Sequence, residues 1–149
     1  MMAELEQRLR NRIAQLHEIA PGSIGDQMAY EVMECEPQGK WVCLRCQTFD
    51  WMRNGPGTLH GGMCATVVDQ AMGFVAYCIK TGEGTAPTVQ MQVEYHRPLT
   101  PGEGVLVMVH VTSKSRSLMH LRAEAYAEGH PEKVCLTASA VYFYKPVAF

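Results

Sequence analysis

The stretch Asn54-Gly-Pro-Gly-Thr-Leu-His60-Gly61-Gly62 runs directly into residues 63–79, where the plainly polar side chains are Thr66, Asp69, Gln70 and the Tyr77 hydroxyl. A helix apolar on nearly every face has to be buried, so this segment reads as a central helix around which the rest of the chain is organised. Two adjacent glycines at its start leave backbone N–H groups uncovered, and with the helix dipole they form a site for a carbonyl oxygen or an anion. Gly62, Ala65, Asp69, Gly73 and Ala76 recur at steps of three or four. They share one helical face on which Asp69 is the only large group, which leaves room beside its carboxylate. A carboxylate in that setting is either used chemically or held structurally by hydrogen bonds to backbone or to Asn54.

Outward from this segment the pattern is an α+β alternation. Residues 2–20 carry Leu5, Leu9, Ile13 and Leu16 at helical steps, and Pro21-Gly22 ends them, so an amphipathic N-terminal helix is expected. Residues 26–36 and 40–50 read as two strands joined by Pro37-Gln-Gly39, and residues 51–59 as a glycine-rich loop. After a turn at Thr81-Gly-Glu-Gly84, four strands follow, at 88–96, 104–112, 118–128 and 133–144. Alternation in the first of them puts Val89, Met91, Val93 and Tyr95 on one face and Thr88, Gln90, Gln92 and Glu94 on the other. The second is almost continuously apolar, as a central strand would be. Short connections make neighbours antiparallel. A curved sheet around an all-apolar helix is the economical packing, and its exposed edges favour pairing with a second copy.

Composition excludes several classes. At 149 residues and 47% hydrophobic, the chain has enough material for one domain with a real core. A net charge of −2 provides no basic field for nucleic acid. No uninterrupted apolar stretch of about 18 residues is present, so no membrane span is expected. The charged start, with Glu4 and Glu6, matches neither a secretory nor a transit segment, and a cytoplasmic location is the expectation. Six cysteines are read as reduced thiols, because the lone pair Cys43-x-x-Cys46 lies in a predicted strand, where residues three apart face opposite ways. No second pair completes a tetrahedral set, and no metal is expected.

The pattern Asn54-x-x-Gly-x-x-His60-Gly-Gly-x6-Asp69 resembles the signature of the hotdog-fold acyl-CoA thioesterases, in the phenylacetate-pathway (PaaI-like) and thioesterase-superfamily-member-2 branch. Pro87-Thr88-Val-Gln-Met-Gln-Val-Glu-Tyr95-His-Arg-Pro98 resembles the strand that follows the helix there, so the likeness covers roughly residues 25–145. It implies a hotdog fold, a curved antiparallel sheet wrapped around a long central helix, in residues 23–149, with residues 1–22 as an extra N-terminal helix. It also implies a homodimer, or a dimer of dimers, that hydrolyses an acyl-CoA thioester with no cofactor, since coenzyme A is part of the substrate.

In that reading Asp69 is the general base or the nucleophile, and the sequence leaves both open. The Gly61 N–H polarises the carbonyl, Asn54 orients substrate or water, and by family position Thr88 holds the attacking water. No Ser or Cys nucleophile motif accompanies His60, so His60 and Gly62 are expected to shape the substrate site at the helix start. Arg97, Lys114 and Arg116, at strand ends and in a turn, are candidates for the phosphates of coenzyme A. Eight residues of helix separate Gly61 from Asp69 by about 12 Å, too far for one chain to bring both to one acyl group. Two antiparallel helices across a two-fold axis remove the difficulty. The alternative is a non-catalytic acyl-CoA binding or sensing module of the same fold.

Overall fold

A computed structural model describes residues 4–80 and 84–146; the expected turn residues 81–83 fall outside the described residues. The N-terminal periodicity forms α1 (Glu4–Ile19), which buries Leu9 and Leu16 and packs Leu5 and Ile13 at the margin of the core. Burying one leucine fully contributes about 1.5–3 kcal/mol, enough to dock a helix whose other faces are charged. Gly22 takes a φ of 77°, where a glycine costs least, and turns the chain out of the helix. The strand expected from residue 26 starts later. Ser23 caps a single helical turn, α2 (Ile24–Gln27), by accepting from the Asp26 N–H, and β1 covers only Glu31–Cys35. Local capping chemistry wins over the apolar pattern there.

The remaining strands are β2 (Trp41–Gln47), β3 (Gly84–Thr85), β4 (Thr88–Tyr95), β5 (Gly104–Lys114), β6 (Leu118–Ala127), β7 (Val134–Phe143) and β8 (Lys145–Pro146). Six form one antiparallel sheet in the order β1-β2-β5-β6-β7-β4, while β3 and β8 make a small separate ribbon that the sequence pattern does not announce. In β2 the buried positions are Val42, Leu44 and Cys46, and Cys43 points the other way, as strand geometry requires. The sheet curves over α3 (Gly61–Ile79), whose Val67, Val68, Ala71, Met72 and Val75 are fully buried against it.

Two expectations change. By length and composition α3 passes for a membrane span, contrary to the sequence reading, but half of its most apolar window is buried inside the fold, where it serves as core. Nor is α3 wrapped on every side in one chain: Gly62, Ala65, Thr66, Asp69, Gln70 and Gly73 remain at least partly open. The uncovered stripe lies beside β4, an edge strand that leaves Val89 61% and Tyr95 54% exposed.

Candidate active site

The loop before α3 is closed by its own hydrogen bonds. The Asn54 side chain donates to the Thr58 hydroxyl at 2.8 Å and accepts from the Thr58 N–H at 2.9 Å, and a bridge between Arg53 and Leu59 seals the base. Gly57, at a φ of 92°, makes the reversal possible. Asn54 therefore shapes the loop with its carbonyl oxygen and one amide hydrogen, and it is not the partner of Asp69. His60 is the N-cap of α3, its Nδ1 accepting from the Gly62 N–H at 2.9 Å. A Cβ at position 62 would lie 3.1 Å from that nitrogen, so Gly62 keeps the cap uncrowded. Of the two glycine N–H groups, the imidazole uses one. Among the described residues the Gly61 N–H has no acceptor, and the Gly61 carbonyl takes the Tyr95 hydroxyl at 2.7 Å.

About two turns further along, the helix presents Asp69, which is partly open rather than buried as the sequence pattern implied. Its Oδ1 accepts two hydroxyls, Thr88 at 2.8 Å and Tyr142 at 2.8 Å. The Tyr142 hydroxyl also reaches the Asp69 carbonyl at 2.9 Å. Oδ2 has no partner among the described residues. One carboxylate oxygen is thus fixed and the other unpaired among the described residues. Burial pushes the Tyr142 phenol far above its ordinary range, and the neighbouring Asp69 charge adds to it, so this hydroxyl remains a donor at all working pH values.

Thr88 reaches Asp69 because β4 is irregular: Thr88 pairs with Tyr142 and Gln90 with Val141, leaving an extra residue at Val89. This bulge swings Thr88 to the helix side, off the face that strict alternation assigns it. Tyr142 is not among the residues that the sequence pattern singles out, yet it carries a legible signal. It lies on an alternating strand at an inward position, and an inward tyrosine needs a hydrogen-bond partner.

Beside this carboxylate opens a groove of about 290 Å³ between α1, α3, the β3–β8 ribbon and the start of β4. Asp69, Thr88 and Tyr142 line it together with Arg12 and Tyr77, and Tyr77 lies eight residues beyond Asp69 on α3, about 12 Å along the axis. Gly84 is required there, since a Cβ would meet the Lys145 carbonyl at 2.5 Å. The cationic candidates are not brought together within one chain. Arg97 follows the strand end that bonds Gly61 and donates to the Val134 carbonyl at 2.9 Å. Lys114 and Arg116 are exposed near the opposite end of α3, where Lys80 bonds the Ser115 and Arg116 carbonyls at 2.7 and 3.0 Å. A helix of 19 residues sets those ends about 27 Å apart.

Comparison with known proteins agrees with this architecture. A model of the thioesterase superfamily matches residues 56–134, from the loop through β6. Human acyl-coenzyme A thioesterase 13 is 31% identical over 80 residues, 54% of this chain and 56% of that protein, so the chain spans about half the length of the curated relatives it matches. Thioesterase superfamily member 2 from Mus musculus superposes with a TM-score of 0.74 at 18% identity, over 95% of this chain and 98% of the other. The protein smu.793 from Streptococcus mutans, solved bound to acetyl CoA, gives a TM-score of 0.66 at 21% identity, over 80% and 91%. These structures share the expected hotdog fold, helix and curved sheet alike. With its family match extending over more than half of its residues, this chain belongs to the thioesterase superfamily.

Proposed function

We propose that this chain hydrolyses acyl-CoA thioesters in a site assembled from two copies. The observation that carries the reading is the divided carboxylate of Asp69: Oδ1 is anchored by Thr88 and Tyr142, and Oδ2, without a partner among the described residues, belongs to a side chain that lines a groove. The unpartnered Gly61 N–H supplies the second element, a donor for the carbonyl oxygen as it gains charge. Both lie on one continuous helix, about 12 Å apart, so the Gly61 N–H acting with a given Asp69 comes from the partner chain. The open stripe of α3 and the exposed apolar edge of β4 supply the surface for that pairing. Relatives named as acyl-CoA thioesterases and a neighbour solved with acetyl CoA support the substrate class.

Two routes use the same atoms. In the first, Oδ2 removes a proton from water as it attacks the carbonyl, the oxyanion forms against the Gly61 N–H, and the coenzyme A thiolate leaves and is protonated. In the second, Oδ2 itself attacks, expels the thiolate and leaves a mixed anhydride that water hydrolyses. The Thr88 oxygen, having donated its proton to Asp69, keeps lone pairs that can accept from water. The test is thiol release from a panel of aryl and fatty acyl-CoAs by native protein and Asp69→Asn, with sedimentation to establish the dimer. Turnover abolished by Asp69→Asn supports the reading; tight binding without turnover by native protein replaces it with a binding module. Label found in the Asp69 carboxylate after repeated turnover in ¹⁸O water assigns the anhydride route, with water attacking at the aspartyl carbon.

A further inference from the structure

We infer that the groove beside Asp69 selects acyl groups that end in a carboxylate, and that Arg12 is the residue that binds it. This rests on the proposed thioester hydrolysis and names the acyl class. Along α1, Arg8 is paired with Glu4 and Arg10 with Glu6, each four residues earlier. Arg12 has Arg8 and Leu16 at the corresponding positions, so its own helix offers it no carboxylate. Among the described residues it makes no ion pair or hydrogen bond. Its guanidinium is held instead over the Tyr77 ring, 4.4 Å from the centroid, and both residues line the groove that Asp69 also lines. Gln70 and the Tyr77 hydroxyl, in the same groove, also make no hydrogen bond among the described residues.

A saturated acyl chain laid in this groove would strip water from an unpaired guanidinium and offer nothing in return. A terminal carboxylate supplies the planar, two-pronged acceptor that a guanidinium matches, and Arg12 offsets the repulsion that Asp69 would exert on it. Asp69 and Tyr77 are eight residues apart on α3, about 12 Å along the axis. Subtracting about 3 Å of contact at each end leaves about 6 Å, room for an extended acyl chain of about five or six carbons at ordinary bond lengths. Glutaryl and adipoyl groups have that length.

The experiment compares kcat/KM for adipoyl-CoA and hexanoyl-CoA, equal in length and differing in the terminal carboxylate, for native protein, Arg12→Gln and Arg12→Lys. Native protein is expected to favour adipoyl-CoA at least tenfold, Arg12→Gln to lower the adipoyl-to-hexanoyl ratio at least tenfold, and Arg12→Lys to restore part of it. Preference of native protein for hexanoyl-CoA, or a ratio unmoved by Arg12→Gln, overturns the inference while leaving the thioesterase reading intact. If neither these two esters nor any member of the wider panel is turned over, that reading fails separately. Calorimetric binding of the same two esters then reads the Arg12 preference on its own, with the same ratio expected and the same outcomes overturning it.

Discussion

Replacing Gly61 by proline deletes one N–H from the proposed site at almost no structural cost, and the local geometry shows why. Position 61 is the first residue of α3, where proline fits because its missing N–H would have no helical partner. The residue before a proline is restricted to extended conformations, and His60 already has a ψ of 137°. A Cβ at 61 would approach nothing nearer than the Tyr95 ring at 3.7 Å, an ordinary contact. No hydrogen bond among the described residues is lost. Stability should therefore hold or rise by about 0.4–1 kcal/mol, because the unfolded chain loses freedom. Catalysis should fall about 10²- to 10³-fold, or about 2.7–4 kcal/mol, the measured worth of one oxyanion donor. Gly61→Ala, which keeps the N–H and adds only the Cβ, controls for bulk and should retain most activity. The assay is thiol release from the best acyl-CoA beside urea unfolding of all three proteins. A folded Gly61→Pro protein within a few-fold of native kcat/KM would refute the assignment of this N–H.

Tyr142→Phe should destabilise the protein by about 1.5–3 kcal/mol, the range for a hydrogen bond to a charged group, and by clearly less in an Asp69→Asn background; additive losses in that cycle would show that the two residues are not coupled. His60→Ala removes the cap on the Gly62 N–H and should cost about 0.5–2 kcal/mol in urea unfolding, with an unchanged midpoint counting against the cap. Burial pushes the Cys46 and Cys78 thiols up to about 12 from an ordinary value of 9.0. Above pH 9 the unfolded chain therefore loses these protons first. The stability they provide is fully present below pH 9 and lost as pH rises towards 12, with a slope of up to about 1.4 kcal/mol per pH unit for each thiol. Urea midpoints at pH 8, 9 and 10 should fall accordingly, and Cys78→Ser should flatten the decline; a level profile in native protein would contradict it.

Much of this molecule is legible in local pattern. The phase of α3, the Asp69 position in its small-residue stripe, the docking face of α1 and the inward residues of β2 all follow from periods of 3.6 and 2, which neighbouring residues impose on one another. The same rules mislead where a non-local contact intervenes. The alternating reading of 88–96 sends Thr88 away from the helix, because a bulge depends on how β4 pairs with β7 and leaves no mark in the strand's own residues. The full burial expected of α3 fails because one sheet covers one side.

By itself, then, the sequence determined the central helix, the carboxylate it carries and the free N–H at its start, since each is set within a few turns of chain. The family resemblance put Thr88 at that carboxylate, and the remaining partners came only from the tertiary structure. Tyr142 lies 73 residues and Thr88 19 residues from Asp69 in sequence, and Arg12 reaches the groove from a separate helix. Such meetings are fixed by sheet register and helix docking, which balance packing over the whole core rather than preferences of the residues involved.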